Sequence, residues 1–115
     1  MSGLSNLKPK VRLFICSDTC NRETIFGKGV ADLCLGVQKL GSLNASAKNM
    51  HMAYSKAWRI VKESEKDLGI KLLDRDGAHG STLTPEAIKL LDAYYSVEKN
   101  TQNYASKDLK QRLSN

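Results

Sequence analysis

Tyr54, Ser55, Lys56 and Arg59 stand close together in the stretch "AKNMHMAYSKAWRIVKESE", residues 47 to 65. A phenol, a hydroxyl, an ammonium and a guanidinium supply the donors and acceptors that grip phosphate oxygens or read base edges. The charge around them has one sign. Between Asp32 and Glu63 there is no acidic residue, while Lys39, Lys48, Lys56, Arg59 and Lys62 all fall there. A phosphate backbone could approach such a stretch unopposed.

Side chains of this kind need a rigid element beneath them. Tyr54 to about Leu68 reads as a helix stopped by Gly69, with Ala57 and Val61 on its inner side and Tyr54, Ser55, Lys56 and Arg59 on its outer side. A break at His51 to Ala53 separates it from a shorter helix that starts with Asn44 as N-cap. Before that, Val30, Leu33, Cys34, Val37 and Leu40 recur at helical spacing up to Gly41, and Gly36 among them marks a close approach of two backbones. Two helices joined at a steep angle by a short turn need a small residue where they cross, which Ala47 supplies, with Met50 and Met52 filling the wedge.

The flanks complete the arrangement. Residues 1–9 read as a flexible lead-in, and "KVRLFICS" alternates Val11, Leu13 and Ile15 against Lys10, Arg12 and Phe14, the period of an N-terminal strand with "TIF" as its return. "IKLLDRDGAHGSTLT" predicts a hairpin whose second strand is Thr82 to Thr84, with Arg75 closing the first strand and His79 at the tip. Thr84 and Pro85 then open a long helix over about 85–105, striped by Ala87, Leu91, Tyr94, Val97, Thr101 and Tyr104. A small winged domain covers only part of that stripe. Leu91, Tyr94, Val97, Thr101 and Tyr104 are therefore expected to pack against a second copy of the chain, giving a homodimer. The tail, 106–115, is expected to fray.

The fold class that follows is mainly α with a small β component, α+β, a winged helix-turn-helix spanning 10–105. Here the sequence also resembles a known type. "GSLNASAKNMHMAYSKAWRIVKESEKDLGIKLLDRDG", followed by "LTPEA", is similar to the DNA-binding domain shared by the ModE and LysR regulator families. "FGKG" at Phe26 to Gly29, "GS" before the first helix of the pair and "AYSKAW" are closest to ModE-type domains, whereas "LGIKLLDR" resembles either. The resemblance implies a cytoplasmic, usually dimeric, sequence-specific transcriptional regulator whose partner is double-stranded DNA. It places Tyr54, Ser55, Lys56 and Arg59 at the major groove, with Lys48, Arg75 and His79 as further DNA contacts.

Departures from that pattern set limits on it. Full-length ModE regulators carry a molybdate-binding domain and LysR regulators an effector domain, and no small-molecule effector domain is evident in this chain of 115 residues. The residue before the recognition helix is usually Ser or Thr in the family and is Ala53 here, so the helix lacks its best cap. The wing is only "DGAHGS".

Several residues have a plainer reading beside the functional one. Trp58 packs against the wing or first helix more readily than it stacks on a base, and His51 is a residue tolerated in an awkward backbone position. His79 divides evenly between DNA contact and simple solvation. Lys62, Lys66 and Lys71 lie among Glu63, Glu65 and Asp67 as a solvated face, and Arg75 has Asp74 or Asp76 as ion-pair alternatives.

Composition narrows the function classes. A net charge of +6 and a pI of about 9.3 favour a polyanionic partner. No apolar run approaches the roughly 20 residues of a membrane span. Three cysteines, Cys16, Cys20 and Cys34, form no paired zinc spacing and no even disulfide set, so they read as reduced, with Cys16 and Cys34 as small apolar fillers. No phosphate loop, Ser/His/Asp set or HExxH motif occurs, so no enzyme, metal or cofactor is expected. Two alternatives to DNA binding stay open: a winged-helix module for protein contact, and a regulator that responds to thiol chemistry or metal through its cysteines.

Overall fold

The structure, a computed structural model of the chain, describes residues 3–18, 25–75 and 80–114. Three apolar stripes at helical spacing fold back on one another to make the centre of the molecule. Helix α1 (Lys28–Leu40) buries Val30, Ala31, Leu33, Cys34 and Val37, and Gly41 stops it in the left-handed conformation that a residue without a β carbon adopts most readily. Helix α2 (Leu43–Asn49) buries Leu43, Ser46 and Ala47. Helix α3 (Tyr54–Leu68) buries Ala57, Val61 and Ser64 and ends on Gly69, as its sequence predicts.

The start of α2 differs from expectation. Its cap is Ser42, whose hydroxyl accepts a hydrogen bond from Ala45 N–H at 3.0 Å, and not Asn44. Leu43 decides this: it is fully buried, and starting the helix at Asn44 would leave that side chain outside the turn that carries it inward.

Strands β1 (Leu73–Arg75) and β2 (Ser81–Leu83) pair antiparallel with Leu73 opposite Leu83 and Arg75 opposite Ser81. The hairpin is therefore present, shifted by one residue from the expected second strand because Thr84 is committed elsewhere. Its hydroxyl accepts from Ala87 N–H at 3.1 Å and donates to the Lys71 carbonyl, which joins the base of the wing to the next helix. Helix α4 (Pro85–Leu113) has 29 residues, about 43 Å at the usual rise. It continues well past the end expected near residue 105, through the segment expected to fray.

Among the described residues, the expected N-terminal strand is present as an isolated bridge. Its alternation is real, since Val11, Leu13 and Ile15 are half-buried while Arg12, Phe14 and Cys16 are exposed. Among the described residues, Ile15 and Phe26 exchange backbone hydrogen bonds, at 2.9 and 3.1 Å. Further back the segment runs beside α4, where Gln102 accepts from Val11 N–H and donates to the Pro9 carbonyl, both at 2.9 Å. A helix side chain thus takes the place of a partner strand. Gly3–Asn6, within the expected flexible lead-in, form a 3-10 turn.

The core joins the four helices and both strands. Phe26, Leu33, Val37, Leu43, Val61, Leu72 and Leu91 are buried in it, together with Tyr94 at 1% exposure. The Tyr94 ring meets Phe26 edge-on at 5.6 Å and Tyr95 at 5.3 Å. Tyr95 in turn donates to Asp32 of α1 at 2.7 Å, tying the long helix to the first one. Among the described residues, no helix is long and apolar enough to cross a membrane.

Candidate nucleic-acid interface

The turn between α2 and α3 sets how the candidate residues are presented. The C-terminal carbonyls of α2 hold it: Met50 N–H donates to Ser46 and Ala47, His51 N–H to Lys48, and Met52 N–H to Ala47. His51 has φ of 56°, a conformation uncommon outside glycine and asparagine, which fits the expected awkward position. Met50 and Met52 are partly buried against the core, filling the wedge as their types suggest.

Helix α3 then begins at Tyr54, with Ala53 in the cap position and no side-chain cap. The underside is fixed by Ala57 and Val61 in the core and by Ser64, whose buried hydroxyl donates to the Ile25 carbonyl at 2.7 Å. With that face pinned, Tyr54, Ser55, Lys56 and Arg59 are all exposed on the other, and Lys48 is exposed one turn before the break. Among the described residues, none of the ion pairs engages Lys48, Lys56 or Arg59. The arrangement is a convex ridge of donors backed by cations, able to enter a groove lined with acceptors and negative charge.

Farther along α3 the side chains face one another. Tyr54 and Trp58 stack with centroids 6.5 Å apart and planes 20° apart, and Lys62 Nζ lies 4.5 Å from the Trp58 centroid. Trp58 is half-buried against the core, so packing is its role here. Lys62 is also 3.2 Å from Glu65, which corrects its reading as a merely solvated cation. Lys71 and Asp74 form an exposed pair at 3.8 Å.

Arg75 ends β1, at the edge of the described wing, while His79 and Cys20 lie outside the described residues. Of the expected dimerisation residues, Leu91 and Tyr94 belong to the chain's own core. That is a correction: the first turns of α4 pack against Phe26 and α1, leaving no part of those two side chains for a partner. Thr101 is exposed, as are Val97 at 46% and Tyr104 at 69%.

The two described cysteines differ in their surroundings. Cys16 is exposed, contrary to its reading as a filler, whereas Cys34 is buried as expected. Burial, and secondarily the Glu65 carboxylate, push the Cys34 thiol up to about 12. No group of three or more His, Cys, Asp or Glu side chains able to hold a metal occurs among the described residues.

Comparison with known proteins bears on this geometry. Residues 32–88 match the family model described as bacterial regulatory helix-turn-helix protein, lysR family. That segment is similar to the LysR-type helix-turn-helix. It runs from α1 through both helices of the pair and the wing to the first turn of α4. Three solved structures share the fold. The crystal structure of the CbnR_DBD–DNA complex is similar with a TM-score of 0.58 and 22% identity, over 70% of this chain and 91% of that one. CbnR, a LysR family transcriptional regulator, gives 0.57 and 22% over 70% of this chain and only 27% of that one. The BenM_DBD/benA site 1 DNA complex gives 0.58 and 20%, over 76% of this chain and 97% of that one. No curated protein sequence matches the chain.

Two positioning residues escaped the sequence reading. Ser42 competes with Asn44 for the same capping role, and only the burial of Leu43 separates them. Glu65 reads as one more charge on a solvated helix, yet its side chain is only 11% exposed and accepts hydrogen bonds from the backbone of the wing.

Proposed function

We propose that the chain is a sequence-specific double-stranded DNA-binding module of a transcriptional regulator, with α3 entering the major groove. The observation that carries this reading is the uncapped start of α3, where Tyr54, Ser55, Lys56 and Arg59 are exposed together in a stretch with no acidic residue between Asp32 and Glu63. Tyr54, Ser55, Lys56 and Arg59 contact bases and adjacent phosphates, Lys48 contacts the backbone, and Arg75 and His79 belong to a wing that reaches the flanking groove. The solved structures of CbnR_DBD and BenM_DBD share the fold and are complexes with DNA, which supports the DNA-binding reading. The segment "FGKG" and the opening "AYSKAW" favour a ModE-type variant of the LysR-like domain. Such a regulator works in the cytoplasm.

The module acts as a homodimer through the outer half of α4, where Val97, Thr101 and Tyr104 are exposed on one face. Two copies of α3 then meet half-sites separated by whole turns of DNA, about 34 Å each. Selection of bound sequences from a random duplex pool tests both statements. The expected result is a near-palindromic consensus with fixed spacing. Recovery of unenriched sequence would overturn sequence-specific recognition, and a single unpaired half-site would overturn the dimer.

A further inference from the structure

Glu65 sits where the recognition helix and the wing meet, and its two oxygens face opposite ways. Oε2 accepts Leu72 N–H at 2.6 Å and Leu73 N–H at 3.1 Å, while Oε1 lies 3.2 Å from Lys62 Nζ. Leu73 is the first residue of β1, and Arg75 is the last. Lys62 in turn lies over Trp58, and Trp58 stacks on Tyr54 in the first turn of α3. A continuous row of contacts therefore runs along one side of α3, from a groove-facing phenol to the backbone at the root of the wing.

The other side of the wing root is held from α4. Thr84 N–H donates to the Leu72 carbonyl at 3.0 Å, and the Thr84 hydroxyl donates to the Lys71 carbonyl. Leu72 is thus gripped at both its backbone groups, by Glu65 through N–H and by Thr84 through C=O. Removing the Glu65 grip leaves the hairpin paired and its root held by Thr84 and by the buried Leu72, Leu73 and Leu83, but takes away the hydrogen bonds that tie it directly to α3.

We infer that Glu65 is a positioning residue for DNA recognition: its carboxylate locks the wing to the recognition helix, so that Arg75 and the groove-facing residues of α3 meet one duplex together. This rests on the DNA-binding reading above. The carboxylate touches no DNA. It acts by removing a hinge, and a pre-set wing contributes its phosphate contact without a cost of ordering at the moment of binding.

The experiment compares the full chain with Glu65→Ala and Glu65→Gln, using amide hydrogen exchange followed by NMR and a salt series of DNA binding on the selected duplex. In Glu65→Ala, the Leu72 and Leu73 amides should exchange at least about 10-fold faster while Ala57 and Val61 keep their protection. Affinity should fall about 10-fold, and the slope of log K against log salt should become shallower by about 0.9 for each phosphate that the wing no longer neutralises. Glu65→Gln keeps an acceptor for the two amides and should restore much of both, and it carries the comparison if the alanine variant does not fold. Unchanged exchange at Leu72 and Leu73 would overturn the lock. Faster exchange with unchanged affinity and slope would overturn its role in recognition. A wild-type chain that binds no duplex would instead refute the DNA-binding reading, with the exchange data still deciding the lock.

Discussion

Gly36 of α1 and Ser46 of α2 meet so closely that a β carbon at position 36 would lie 2.0 Å from the Ser46 hydroxyl oxygen and 2.7 Å from its Cβ. Ser46 cannot retreat, because it is fully buried and its hydroxyl donates to the Leu33 carbonyl at 2.7 Å. Gly36→Ala should therefore force the two helices apart and cost about 1–3 kcal/mol, the usual range for overpacking. Thermal unfolding should show a melting temperature lower by several degrees. A melting temperature equal to that of the wild type would mean that the crossing is looser than these distances require.

On the recognition face, the effects should fall on binding and not on stability. Lys56 and Arg59 are exposed, and no ion pair among the described residues holds either one. Replacing either by Ala should change stability to unfolding by no more than about 0.5 kcal/mol. It should cost about 1–3 kcal/mol on a selected site where the residue contacts a base, and less on random duplex. Equal losses on both would make the residue a phosphate contact.

Helix α4 divides into a first half that packs into the core and an outer half on which Val97, Thr101 and Tyr104 are exposed. Tyr94→Glu would place a carboxylate among Phe26, Tyr95 and Leu91, so that variant should fail to fold stably. Tyr104→Glu should keep the native circular dichroism spectrum while weakening self-association. Sedimentation equilibrium at about 10 µM, a concentration that corresponds to roughly 7 kcal/mol of association, should find a wild-type dimer and a Tyr104→Glu monomer. A monomeric wild type at that concentration would contradict dimerisation through this face.

The two described cysteines should behave as opposites. Cys34 is buried with its thiol pushed up to about 12, so at pH 8 peptide mapping should find it unmodified by an alkylating reagent until denaturant is added, while Cys16 is modified at once. The same shift fixes a pH dependence. The folded thiol keeps its proton where the unfolded one, with an ordinary value of 9.0, loses it. Its contribution is complete below about pH 9 and should decline by about 1.4 kcal/mol per pH unit as pH rises toward 12. Tyr95, raised by burial and by its bond to Asp32, acts in the same direction. Rapid alkylation of Cys34 in the native chain would revive a thiol-responsive role.

What could be read from the sequence was whatever local chemistry dictates. The limits of α3, the Gly41 and Gly69 stops, the Thr84 cap and the close approach at Gly36 follow from residue types within one or two turns, and the structure agrees with each. Some departures are local, such as the Ser42 cap, but those that reshape the candidate site involve residues far apart in the chain. Gln102 of α4 bonds to Pro9 and Val11 at the start of the alternating segment, and Tyr94 meets Phe26, so half of an apparent docking stripe is core. Periodicity says that a face is apolar but not what covers it. Glu65 was hidden for the same reason, since nothing in a run of alternating charges marks the one carboxylate that turns inward toward another element.

The central claim is that the exposed face of α3 binds duplex DNA, and fluorescence anisotropy of a labelled duplex titrated with the full chain across a salt series tests it most directly. The expected result is saturable binding without any added ligand, weakening steeply between about 50 and 200 mM salt as Lys and Arg displace condensed counterions. Lys56→Ala and Arg59→Ala should both weaken it. No detectable association even at the lowest salt, with a chain shown to be folded, would contradict the account.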